Sequence, residues 1–141
     1  MPRQKGSRGP NRELPAISPI DLAWLAGVLE GEGSFIETWV GRPKYHNVVI
    51  CLKMTDRDVV DRVAALWNSG VYDEKVPRSI LSRKVSYAAY LTGQRAIALM
   101  YQLWPHMGER RRAQISRLFD AWQKHHAAKF QVGAQMAALG G

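Results

Sequence analysis

Two glycines stand inside an otherwise apolar helical stretch, and they constrain the chain more than any other feature. Residues 25–33 read Leu-Ala-Gly-Val-Leu-Glu-Gly-Glu-Gly. The helix opens sharply, with Ser18 as a natural N-cap, Pro19 at the first helical position and Asp21 as a first-turn carboxylate. It runs through Glu30, and Gly31-Glu32-Gly33 ends it. Glycine in a helix interior costs about 0.8–1 kcal/mol against alanine, so Gly27 and Gly31 need a reason. Ala23, Gly27 and Gly31 recur every fourth residue and share one face. Close approach by a second helix is such a reason, whether that helix comes from the same chain or from a second copy. Leu22, Leu25, Val28 and Leu29 remain for a core.

The end of this helix carries Glu30 and Glu32. Carboxylates at a helix C-terminus oppose the macrodipole. They are either solvated helix-end acids or acids wanted at that point. Two such helices packed side by side would bring acids together, which suits a hard divalent cation such as Mg²⁺.

The remaining pattern predicts an antiparallel α+β domain. Ser34 to Val40 and Tyr45 to Met54 read as strands joined by the turn Gly41-Arg42-Pro43. A second helix has Thr55 as N-cap and Asp58 at its third position. It carries Val59, Val60, Val63, Leu66 and Trp67 at helical spacing and stops at Asn68-Ser69-Gly70. Val71 to Val76 and Val85 to Leu91 follow as strands around the basic loop Arg78 to Lys84. A third helix starts near Thr92-Gly93, and beyond Pro105 a fourth, basic helix spans roughly Glu109 to Ala128. The order is α-β-β-α-β-β-α plus a final helix, with helices on one face of the sheet and the other face open. Residues 1–17 read as a flexible basic arm, 18–130 as the domain and 131–141 as a loose Gly/Ala-rich tail.

Charge narrows the function. The chain has 20 Lys+Arg against 12 Asp+Glu, a formal net charge of +8, which favours nucleic acid over an anionic membrane surface. No apolar run approaches the roughly 18 residues needed to span a bilayer. The single Cys51 excludes an internal disulfide framework, and with no secretory h-region the chain reads as intracellular. His46, His106, His125 and His126 lack zinc-finger spacing and receive no role.

The segment resembles the defining motif of the LAGLIDADG homing endonuclease family. Leu25, Ala26, Gly27 and Gly33 are identical to that motif, Val28 and Leu29 are conservative, and Glu30 and Glu32 stand for its two aspartates. Ser34-Phe35, Met54-Thr55-Asp56 and Leu103-Trp104-Pro105 with Arg110-Arg111-Arg112 extend the resemblance over about residues 18–120. It implies the αββαββα fold and hydrolysis of double-stranded DNA with Mg²⁺ (or Mn²⁺) shared between two subunits. With one motif, one chain makes half a site. The expectation is therefore a homodimer joined along Ala23, Gly27 and Gly31, reading a palindromic or near-palindromic target and leaving short 3′ overhangs. No membrane and no small-molecule substrate are implied.

By the same resemblance, Glu32 is the metal-binding acid and Gly31 offers a backbone carbonyl to a metal, while Glu30 falls on the acid that is more often structural. Asp56 positions water, and Arg110 replaces a lysine of the solvent network. Arginine there keeps its charge but is a poor proton carrier. The strands are expected in the major groove. Ile36, Thr38 and Val40, then Asn47, Val49, Cys51 and Lys53, then Asp73, Lys75, Tyr87 and Ala89 would face DNA. Arg42 and Lys44 at one loop, Arg78, Arg83 and Lys84 at the other, and Arg111 and Arg112 would reach bases or phosphates. The alternative on the same scaffold is a non-cleaving nucleic-acid binder, such as an intron RNA maturase or a transcription regulator.

Overall fold

Local rules account for most of the element boundaries. The computed structural model describes residues 13–74 and 85–127. Ser18 caps helix α1 (Pro19–Glu32), its hydroxyl accepting from the Asp21 amide at 3.1 Å. The helix passes into strand β1 (Gly33–Val40) without a loop. Gly33 makes that junction possible, because a Cβ there would lie 2.7 Å from the Leu29 carbonyl oxygen. After β1 come β2 (Tyr45–Met54), α2 (Arg57–Trp67), β3 (Tyr72–Glu74), β4 (Ser86–Thr92) and α3 (Gly93–Leu103). A 3-10 turn (Trp104–His106) then leads into α4 (Glu109–His126).

The order is the expected α-β-β-α-β-β-α with a further helix, and the class is α+β. Two local expectations change. The N-cap of α2 is Asp56, not Thr55. Its carbonyl accepts from the Val59 and Val60 amides, while its side chain makes no capping bond. The helix ends at Asn68, which takes the left-handed conformation (φ 50°, ψ 49°) usually left to glycine. Leu14 and Ile17, inside the stretch expected to be a loose arm, pack against the core. The rest of the arm (residues 1–12) and the tail (131–141) lie outside the described residues.

The sheet is antiparallel with strand order β1-β2-β4-β3. Along β2 the alternation is clean: His46, Val48, Ile50 and Leu52 are buried, whereas Asn47, Val49 and Cys51 are half-buried and Lys53 is exposed. The buried side meets Leu25 and Leu29 of α1, Val60, Val63 and Trp67 of α2, Ile97 and Met100 of α3, and Ile115 and Leu118 of α4 in one core. The helices therefore cover one face, and the second face is open. Among the described residues no helix is long and apolar enough to cross a membrane.

Candidate functional site

The two acids at the end of α1 have different surroundings. Glu30 is held by the start of α4: its Oε1 accepts from the Gly108 amide at 2.6 Å, and Gly108 is the α4 N-cap. A negative carboxylate thus sits where the helix dipole is positive. Its Oε2 is 3.5 Å from Arg111 Nε.

Arg111 is only 6% exposed. Its Nε donates to the Glu30 carbonyl at 3.1 Å and its Nη2 to the Gly33 carbonyl at 2.8 Å. Nη1 donates to Gln114 Oε1 at 2.9 Å. One guanidinium therefore ties down carbonyls at the C-terminal end of α1 and neutralises charge there. Burial pushes its pKa down, as does neighbouring Arg110, while Glu30 opposes them. Arginine stays protonated throughout.

Glu32 is the last residue of α1 and is exposed, as is Gly31. Among the described residues Glu32 has no ion-pair partner. The β1–β2 register sets Gly33 against Leu52, so the end of β2 and Asp56 beyond it emerge at the same end of the sheet as Glu32. Arg110, exposed, adjoins Arg111 at the start of α4. The chain thus gathers Glu32, Asp56 and Arg110 at one end of the sheet, on three separate elements.

The outer side of α1 borders this end. Ala23, Gly27 and Gly31 are all exposed, and Ile20 is 81% exposed. A Cβ built at Gly27 or Gly31 meets nothing within 4 Å. Among the described residues no other helix approaches them.

Three solved structures are similar to this chain in fold. The homing endonuclease I-CvuI, in complex with its target, matches with a TM-score of 0.59 at 18% identity, over 85% of this chain and 76% of that chain. The archaeal intron-encoded homing endonuclease I-Vdi141I, complexed with DNA, matches at 0.52 and 12%, over 79% and 86%. The I-LtrWI LAGLIDADG homing endonuclease bound to target DNA matches at 0.51 and 18%, over 94% of this chain but 47% of that one. No protein-family model and no curated protein matches the chain. The chain has the LAGLIDADG homing endonuclease fold.

Within that fold, the open sheet face carries Ile36 and Val40, both exposed, half-buried Thr38, and Asn47, Val49, Cys51 and Lys53. The expected phase fails on the other two strands. Leu52 pairs with Ala89 and Met54 with Tyr87, so Ala89 and Tyr87 lie on the helix side. The open-face positions of β4 are Ala88, Tyr90 and Thr92, opposite Lys53, Cys51 and Val49. Asp73 pairs with Tyr87 and shares the helix side, while Tyr72 pairs with Ala88 on the open face, its ring 5.7 Å from that of Tyr90. Arg57 sits 5.3 Å above the Tyr87 ring, as a helix-side position requires.

Arg42 and Lys44 are exposed at the hairpin tip. Lys75, Arg78, Arg83 and Lys84 lie outside the described residues. Arg111 and Arg112 are corrected in environment. Arg111 is occupied by backbone carbonyls, as above. Arg112 donates to the Trp104 carbonyl at 3.1 Å and the Pro105 carbonyl at 3.3 Å, closing the turn before α4.

Two features had been missed in the sequence. Arg111 belongs to the buried stripe Arg111, Ile115, Leu118, and that i, i+4, i+7 spacing was there to be noticed. The histidines given no role also gather. His46 and His125 join Glu37 near the far end of the β1–β2 hairpin, where the side-chain ligand atoms of all three lie within 4.8 Å of one another. Only a hairpin register that sets His46 against Trp39, with α4 laid beneath it, brings them together.

Proposed function

We propose that the chain is a homodimeric, divalent-metal-dependent endonuclease that cuts double-stranded DNA at a palindromic or near-palindromic site and leaves short 3′ overhangs. The observation that carries this reading is the outer side of α1. Nothing among the described residues packs on its glycines, and the face runs directly into exposed Glu32. The lengths of the relatives support it. The chain spans most of I-CvuI and of I-Vdi141I but about half of I-LtrWI, and all three were solved with DNA.

The donor set fits a divalent cation only as a pair. A single exposed carboxylate is too little for Mg²⁺, which wants an oxygen octahedron. Two copies of α1 in contact would supply two Glu32 carboxylates and two Gly31 carbonyls. Mg²⁺ or Mn²⁺, when bound, supplies charge neutralisation at phosphate and a lowered water pKa. I-CvuI was crystallised with Ca and with Mg.

The other residues divide the work. Arg110 faces solvent and can oppose the charge building on a scissile phosphate, though it cannot carry a proton at neutral pH. Asp56 can orient water from the end of β2. Arg111 and Glu30 are positioning residues, because they fix the helix end from which Glu32 projects. The open sheet face, with Asn47 and Lys53 among mostly apolar neighbours, would lie in the major groove. Shape readout would weigh most near its centre.

The test is a library of randomised palindromic duplexes incubated with the protein and Mg²⁺, sequencing both the bound fraction and new ends. One enriched palindrome with short 3′ overhangs, cut by the wild type but only bound by Glu32→Gln, is expected. Enrichment without new ends makes the chain a non-cleaving binder on this scaffold. No enrichment removes the palindromic DNA target.

A further inference from the structure

We propose that Glu37, His46 and His125 form a second metal site, for a zinc-class transition-metal dication, at the joint between the β1–β2 hairpin and the C-terminal end of α4. This site is separate from the acids at the end of α1, and it depends on no second subunit. Two imidazoles and one carboxylate are a donor set that zinc takes, with a fourth position left for water.

The residue at the centre is His46, 3% exposed. Its Nε2 lies 2.9 Å from Glu37 Oε1, so a buried ring nitrogen and a carboxylate already face one another across the site. The His125 ring is stacked on it, with centroids 4.5 Å apart and an interplanar angle of 23°. Trp39 packs edge-on against His125 at 4.8 Å. A tetrahedral zinc with bonds near 2.0–2.1 Å needs donors roughly 3.3 Å apart. The present limit of 4.8 Å therefore closes by about 1.5 Å, and the His125 ring turns out of its stack on His46 to aim its lone pair at the ion, a movement open to an exposed residue in the last turn of α4.

The surroundings supply the rest. His46 Nδ1 is 3.2 Å from His126 Nε2. The same His126 Nε2 lies 3.1 Å from the His46 carbonyl, which can only accept, so His126 is an outer partner that holds the His46 ring in place. A cavity of about 320 Å³ lined by Trp39, Lys44, Tyr45, His46, His125 and His126 gives an ion a way in. A bound ion would pin the end of α4 to the back of the hairpin whose front is the open sheet face.

The experiment is a Co²⁺ titration of untagged, chelator-stripped protein, followed by the visible absorption of four-coordinate Co²⁺, with thermal melting in Zn²⁺ alongside. One ion per chain and a raised melting temperature are expected. Glu37→Gln and His125→Ala should each weaken binding roughly tenfold or more, and neither is a core residue. Asp61→Asn, an exposed acid of α2 outside both sites, should leave the titration unchanged. Absence of binding, or binding that survives both Glu37→Gln and His125→Ala, would overturn the proposal.

Discussion

The inner side of α1 is buried in the core, and among the described residues its outer side is bare. Leu25, Ala26 and Leu29 are buried among the other elements, whereas Ala23, Gly27 and Gly31 stand in solvent beside an exposed isoleucine. A helix apolar all round is normally buried all round. The difference separates two sides of one helix. The inner side holds the fold together, and the outer side has no covering element among the described residues. The same division separates Glu30, drawn inward by Gly108 and Arg111, from Glu32, which points to neither.

The sharpest way to test that division is to change the two acids separately. Glu32→Gln should abolish cleavage in a plasmid-cutting assay while its melting curve overlays that of the wild type. A large loss of stability would mean that Glu32 belongs with the inner side. Next in size, Leu29→Ala should cost about 2–5 kcal/mol in urea unfolding, the range for a buried leucine whose cavity cannot fully collapse. Arg111→Met should cost about 2–3 kcal/mol, because it leaves two helix-end carbonyls without their donor and removes the cation beside Glu30. That variant should lose cleavage as well as stability. Arg111→Lys, which keeps the charge but not the fork, should recover part of the stability and little of the cleavage.

The smallest effect carries the most information. Gly27→Ala should stabilise the isolated chain by about 0.8–1 kcal/mol, since the position is open and helical. Sedimentation should nonetheless show a weaker dimer, and Gly27→Leu should show none. A dimer unaffected by leucine at residue 27 would remove the outer side of α1 from the interface.

Periodic features of the chain were legible before the structure. The cap at Ser18, the element order and the open face of β1 and β2 follow from period, turn chemistry and a clean alternation. The phase of β4 was misjudged because Ala88 and Ala89 are adjacent and equally small, so alternation alone gives either face. Leu91, which shares a side with Ala89 and Tyr87, held the answer. Arg111 was grouped with its basic neighbours by charge, although its helical position put it with Ile115 and Leu118. The histidine cluster draws on residues from two strands and a distant helix. Spacing in the chain says nothing about such a meeting, because the tertiary contact creates it.

The Arg111 clasp has a consequence for how the molecule is made. The arginine grips a carbonyl 81 residues earlier in the chain. A growing polypeptide therefore displays the glycine face and its acids long before anything secures the helix end beneath them. Until the start of α4 has left the ribosome, the helix end that carries Glu32 lacks the clasp that fixes it.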